Sequence, residues 1–212
     1  MRERILDATE QLLGRLGYQK TTMDDIAAEA HVGRRTIYLH FSTKEDVALA
    51  TIDRIVERLV ERLGRIAVSN LEWDERLRQM LIERVMFRFD SVRGYFHSID
   101  EIFRSLRAAY MARRTRYFES EAKVFVNVLR GGQKDGHFAL DDSSSCAEVL
   151  LLATNALLPS ALSTRELGER ADVEARAVRI ADLLVRGLLP HKPLGPSGNY
   201  AGTKTRKSRA LR

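Results

Sequence analysis

Apolar residues return every three or four positions along most of the first 189 residues, the period of one helix face, and no run alternates as a strand would. Residues 4–16 put Ile5, Ala8, Thr9, Leu12, Leu13 and Leu16 on one face, and Gly17 supplies a stop. Thr22 reads as an N-cap answered three residues later by Asp25, ahead of the stripe Met23, Ile26, Ala27 and Ala30. His31-Val32-Gly33 breaks this second helix, with Gly33 expected to accept a positive φ. Residues 34–40 then predict a two-turn helix with Ile37 inward. A second capping box over Ser42-Thr43-Lys44-Glu45 opens a fourth helix, which runs to about residue 68 through Val47, Ile52, Ile55, Val56, Leu59, Val60, Leu63 and Ile66. At about 1.5 Å per residue that helix is roughly 35–40 Å long.

The next helix, from about residue 73, carries Leu77, Leu81, Val85 and Phe89 at four-residue steps and ends over 91–94. Shorter and longer helices follow over about 95–106 and 108–132. The segment 144–162 is apolar on nearly every side, so it is expected to be covered on more than one face. A polar loop over 163–171 leads to a last helix over 172–187. Proline is absent before Pro159, which permits uninterrupted helix. The fold class is therefore all-α, with a three-helix helix-turn-helix domain over 1–46, a larger helical domain over 47–189, and a tail over 190–212. That tail, rich in Pro and Gly and then in Lys and Arg, is expected to be disordered.

The third helix turns Arg34, Arg35, Thr36, Tyr38 and His40 outward, a set of donors suited to phosphates and base edges. An arginine offers bidentate geometry to guanine, and Thr36 can set its methyl against thymine. The bare reading is a helix-turn-helix for duplex DNA. Thr22-x-x-x-Ile26-Ala27, Val32-Gly33, Thr36-Ile37-Tyr38, His40-Phe41 and Lys44-Glu45 resemble, in fixed order, the N-terminal signature of TetR-family transcriptional regulators. The resemblance implies that Tyr38, His40 and Lys44 meet phosphates and that Thr22 meets another. Gly33 and Leu39 complete the DNA-binding set of Thr22, Gly33, Arg34, Arg35, Thr36, Tyr38, Leu39, His40 and Lys44.

The resemblance also implies a homodimer on a palindromic, double-stranded DNA operator. The two apolar helices over 144–162 and 172–188 suggest a four-helix interface for that dimer. Aromatic residues gather in the middle helices, and such regulators commonly enclose a small-molecule effector there. Phe87, Tyr95, Phe103 and Tyr110 are the candidate walls, with Arg84 and Asn155 the candidate polar groups. The expected function is a ligand-responsive regulator, first of all a repressor that its effector releases from DNA. A dimeric DNA-binding adaptor without an effector, or an activator, are the alternatives.

Charge changes the picture less than it first suggests. The net charge is +6, but six of the 35 basic residues and none of the 29 acids lie in 191–212, so 1–190 hold 29 of each. Affinity for DNA must then come from local placement, with nonspecific help from the tail. Cys146, the lone cysteine, excludes an internal disulfide and fits a reducing compartment as a buried small hydrophobe. The apolar run 149–162 is too short for a membrane span and is interrupted by Asn155 and Pro159, and the first helix mixes acids into its opening turns, so a cytoplasmic location is expected. His97, His137 and Cys146 are scattered, and no HExxH, P-loop or GxSxG spacing occurs. No enzyme, cofactor or metal site is expected.

Overall fold

The computed structural model describes residues 1–159, 161 and 164–190. The described residues form helices without strands: α1 (Arg2–Leu16), α2 (Met23–Glu29), α3 (Arg34–His40), α4 (Lys44–Ala67), α5 (Trp73–Val92), α6 (Phe96–Ser105), α7 (Arg107–Lys134), α8 (Ser143–Asn155), α9 (Thr164–Leu167) and α10 (Arg170–Leu188). A 3₁₀ turn, Arg93–Tyr95, links α5 to α6.

The N-terminal helices close on Ile5, Leu6, Leu12, Ile26, Ile37 and Phe41, and Val47 at the start of α4 joins them. Farther along, α4 meets α6 and α7 through Leu49, Ile52, Val56, Ile99, Ile102 and Tyr117. Its distal half enters the largest core, where Leu59 and Leu63 pack with Leu77, Leu81, Phe125 and Leu151. One continuous helix therefore contributes to three apolar clusters. Two close approaches shape the far end: a Cβ on Gly131 would stand 2.4 Å from the Trp73 ring, and one on Gly132 2.4 Å from Phe138. Only hydrogen at these positions lets both rings seat against α7.

Local expectations hold with instructive shifts. The Thr22–Asp25 capping box forms in both directions. The second box sits one residue later than read: Thr43, not Ser42, caps α4, and Asp46, not Glu45, answers it. Either pair has the right spacing, and the placement of Val47 in the N-terminal core selects the second register. Gly33 was expected to take the positive φ of the turn, but it has φ −68° as the extended cap of α3, and His31 carries φ 50°. The strain is relieved by local bonding, since the His31 and Val32 amides donate to the carbonyls of Ala28 and Ala27. Leu16, assigned to the inner face, is 39% exposed because α1 ends there.

In the larger half, the helix read over 144–162 ends at Asn155, and Leu162 lies outside the described residues. The loop read over 163–171 contains α9. The expectation of cover on several faces of α8 is not met within one chain: Leu150 and Leu151 are buried, while Val149 and Leu152 are more than half exposed. Leu183 of α10 is also exposed. Cys146 is half-buried against the core, and burial, with Asp142 close by, raises its thiol above the ordinary value. The basic segment 191–212 lies outside the described residues.

The arginines of α4 are not all on a solvated face. Arg54 is buried, and its guanidinium meets Asp7 at 2.7 Å, Glu3 at 3.2 Å and Glu10 at 2.6 Å, three acids along α1. Burial alone would weaken its hold on the proton, but the carboxylates, Glu10 foremost, outweigh it and raise its pKa. This clamp fixes α1, and with it the N-terminal unit, to the long helix.

Candidate functional site

Two regions bring chemistry together. In the N-terminal unit, Ile37 and Phe41 anchor α3 in the core while Arg34, Arg35, Tyr38, Leu39 and His40 are exposed and Thr36 is half-exposed. Leu39 is 75% exposed. Arg34 reaches back to Asp24 of α2 at 3.3 Å, an exposed pair of modest strength. Arg4 caps the far end of α2 by donating to the carbonyl of Ala30 at 2.9 Å. The outcome is a short helix whose whole outer face is available, held by a neighbour closed at both ends.

Besides Arg34, two residues of the candidate DNA-binding set are engaged within the chain. The Thr22 hydroxyl donates to Asp25 at 2.6 Å and accepts the Asp25 amide at 3.1 Å. Lys44 donates to the carbonyls of Tyr18 and Gln19 at 3.1 and 3.4 Å, with its ammonium 4.6 Å from the Tyr18 ring centre. Burial, then Glu45, pushes the Tyr18 hydroxyl up to about 12, so it stays protonated. Thr22 is nevertheless exposed and Lys44 half-exposed, so both brace the base of the reading head while remaining at its surface.

The head is tied to the larger half at the end of α1. Ser98 of α6 donates to the carbonyl of Leu13 at 2.6 Å, and the Gln19 amide donates to Glu101 at 3.3 Å. Gly14 passes so close to the 3₁₀ turn that a Cβ would stand 2.9 Å from the carbonyl oxygen of Gly94.

The second region lies among α5, α7 and α8. Arg84 was expected to face an effector pocket; it is instead 1% exposed and spent on protein partners. It donates to Glu121 at 2.6 Å, to Thr154 at 2.5 Å, to the Leu151 carbonyl at 3.2 Å and to Oδ1 of Asn155 at 2.8 Å. Arg88 donates to the other oxygen of Glu121. Burial pulls Arg84 down to about 10 against the pull of Glu121. Glu121 is lowered despite its burial because Arg88 and Arg84 favour its charged form. One carboxylate thus stands against two guanidinium groups, and this interior cluster carries one net positive charge.

Beside it is a cavity of about 250 Å³ bounded by Phe103, Arg107, Tyr110, Met111, Arg114 and Asn155. Three of the expected effector residues therefore meet there: Phe103, Tyr110 and Asn155. Phe87 does not; it packs between the two larger cores under the Arg62 guanidinium, 5.0 Å from its ring centre. The Tyr95 side chain lies outside the described residues. Phe103 and Tyr110 meet edge to face at 4.8 Å. Phe103 also forms a wall of a second, apolar crevice of about 40 Å³ with Ile52, Ile55, Val92, Ile99 and Leu158.

The sequence reading missed Glu121. Glu121 had a signal, for it stands four residues from both Tyr117 and Phe125 and so on the buried stripe of α7. Among the described residues no group of three or more His, Cys, Asp or Glu side chains is placed to hold a metal ion. No described helix is long and apolar enough to cross a membrane.

Residues 5–51 match the family model described as "Bacterial regulatory proteins, tetR family". The chain is 41% identical over 56 residues to an uncharacterized HTH-type transcriptional regulator of Lactococcus lactis subsp. lactis, a stretch covering 26% of this chain and 29% of that relative. It is 24% identical over 143 residues to the HTH-type transcriptional repressor KstR2 of Rhodococcus jostii, covering 66% and 69%. The fold superposes with a TM-score of 0.70 and 22% identity on a TetR-family transcriptional regulator of Pectobacterium atrosepticum, over 91% of this chain and 95% of that one. The strongest sequence likeness thus falls on the helices that form the reading head, and the likeness in fold extends through the rest. Residues 5–51 of the chain thus match the tetR family of bacterial regulatory proteins, and the fold as a whole is similar to that of TetR-family regulators.

Proposed function

We propose that this protein is a ligand-responsive transcriptional repressor that binds a palindromic operator as a homodimer and is released by a small-molecule effector. The observation that carries the reading is α3, anchored by Ile37 and Phe41 with Arg34, Arg35, Tyr38, Leu39 and His40 exposed on its outer face. Arg34, Arg35 and Thr36 stand at its N-terminal end, where helix-turn-helix proteins read base edges. Tyr38 and His40 take phosphates, and Leu39 suits a thymine methyl. Gly33 is the exposed N-cap of this helix and stands beside the three residues at its start. Thr22 and Lys44, still at the surface, take phosphates as well as holding the head in shape.

The dimer reading is supported by Val149 and Leu152 of α8 and Leu183 of α10, exposed apolar residues on the two helices expected to pair with their copies. The effector reading is supported by the cavity at Phe103, Tyr110 and Asn155, which a purely structural C-terminal half has no use for. Two proteins of similar fold are described in complex with small molecules: FadR of Bacillus subtilis with stearoyl-CoA, at 16% identity and TM-score 0.64, and SmeT with triclosan, at 19% and 0.63. Repression is favoured by the naming of KstR2 as a repressor. Effector binding would act by shifting the balance between two spacings of the paired heads, by no more than its difference in affinity for them. The contacts of Ser98, Glu101 and Gly94 with the end of α1 are the route by which α6 would move the head.

The test is selection of bound DNA from a random pool, followed by titration of the selected site. A two-fold symmetric site bound by a dimer is expected, and Arg35→Ala should erase preference at one base pair of each half-site. Equal binding of the selected and a scrambled sequence would refute the reading.

A further inference from the structure

The polar groups around the 250 Å³ cavity share one chemical character. Arg107 and Arg114 stand seven residues apart on α7, on the same face as Tyr110 and Met111. Asn155 comes from the opposite side, at the end of α8. Among the described residues no carboxylate lines the cavity. The arginines of α7 divide by use: Arg113 and Arg116 both pair with Asp53 of α4, whereas Arg107 and Arg114 form no ion pair among the described residues. On its outer side Arg114 also borders a surface groove with Glu119 and Glu148.

Asn155 adds a directed donor. Arg84 holds its Oδ1 at 2.8 Å, which fixes the amide and turns Nδ2 the other way. That Nδ2 is buried and has no hydrogen-bond partner. A buried amide N–H left unpaired is costly, and because Asn155 borders the cavity, a small shift that brings it to an acceptor there would be favoured. Behind Asn155, the Arg84–Glu121–Arg88 cluster contributes a further uncompensated positive charge. The field in the cavity is positive from two directions. Its remaining walls, Phe103, Met111 and the ring of Tyr110, are apolar, and Phe103 leads on to the apolar crevice beyond.

We propose that this cavity takes an amphipathic carboxylic acid, its carboxylate held by Arg107, Arg114 and the Asn155 amide and its apolar part against Phe103, Tyr110 and Met111. This inference rests on the effector reading of the same cavity. The size of the ligand follows from the space: about 250 Å³ falls just under the range of roughly 300–1,000 Å³ usual for drug-sized ligands, so a small aryl-alkyl or medium-chain acid fits. Arg84 is a positioning residue here, orienting the Asn155 amide without touching the ligand.

The experiment uses the full chain, titrated with octanoate and 4-phenylbutanoate and, in parallel, with octanamide and 4-phenylbutanamide. Binding is read by calorimetry and by the ligand-dependent rise in melting temperature. The acids are expected to bind at least about tenfold tighter than the amides. The double variant Arg107→Gln/Arg114→Gln should lose that advantage, while Arg104→Gln, on α6 and outside the cavity lining, should keep it. Amides that bind as well as acids, acids indifferent to the double variant, or no binding by any of the four would overturn the inference. Operator affinity is measured alongside. Acids that bind as expected but leave DNA binding unchanged would uphold the inference and refute the effector reading. Amides that release DNA where the acids neither bind nor release it would do the reverse.

Discussion

The reading head and the helical half behind it use arginine in opposite ways. In the head, Arg34 and Arg35 stand in solvent on a seven-residue helix. In the larger half, Arg84 is sealed inside and makes four contacts with residues 37 to 71 positions away. The head is specified by local devices: capping boxes three residues apart and a short apolar stripe. The larger half is held by pairings that no local pattern announces. An exposed arginine costs little to keep ready for a partner, whereas a buried one must have its partners built in. The difference assigns recognition of a large anion to the surface of one region and structural organisation to the charges of the other.

Glu121→Ala strikes this contrast hardest. It leaves Arg84 and Arg88 without their shared counter-charge, and a loss of about 3–5 kcal/mol is expected in urea denaturation. A loss under about 1 kcal/mol would mean that the cluster is far better solvated than its burial implies. Gly132→Ala is next: its methyl meets the Phe138 ring, and overpacking of this kind costs about 1–3 kcal/mol, read as a lower denaturation midpoint. Arg35→Ala belongs to the other region and should leave stability within about 0.5 kcal/mol. Its effect should appear in DNA binding, as a loss of about 1–3 kcal/mol of discrimination at one base pair per half-site. Should it instead weaken random and selected DNA alike, Arg35 is a phosphate contact and the reading of α3 must be rotated.

Smaller effects sharpen the picture within the head. Thr43→Ala removes the side-chain cap of α4 and should cost about 1 kcal/mol, whereas Ser42→Ala, outside the box, should cost a few tenths at most. The smallest expected effect is acid titration of the α2 box. Hydrogen bonds from the Thr22 hydroxyl and amide hold Asp25 below its ordinary 3.8. Because the folded value is the lower one, this contribution is complete above the unfolded value and fades as pH falls through the folded value. Thr22→Val removes the hydroxyl bond and keeps the amide bond, so it should move the Asp25 titration, followed by NMR, only part of the way back.

Much of the head was legible because its determinants are neighbours in sequence. The bounds of α3 and the inward turn of Ile37 follow from the spacing alone, as does the Thr22–Asp25 box. The errors there were ambiguities between adjacent candidates: Ser42 against Thr43, and Gly33 against His31 for the positive φ. Each was decided by packing, since the register that buries Val47 and Phe41 admits only one choice. In the larger half, helical periodicity revealed the stripes of α5 and α7 but not that Arg84 and Glu121 lie on them as partners. A charged residue at a core position reads as a solvated one until its counter-charge, 37 residues away, is known to face it.

The sequence by itself determined the helical class, the caps and turns of the reading head, and the donors displayed on α3, because each depends on residues within one or two helical turns. Only the tertiary structure decided which arginines are free and which are spent. It tied Lys44 to the Tyr18 and Gln19 carbonyls, separated Arg107 and Arg114 from Arg113 and Arg116, and set Asn155 with one side bound to Arg84 and the other unpaired. The reason is physical: a charge takes its role from what surrounds it in space, and that environment is assembled from helices far apart along the chain.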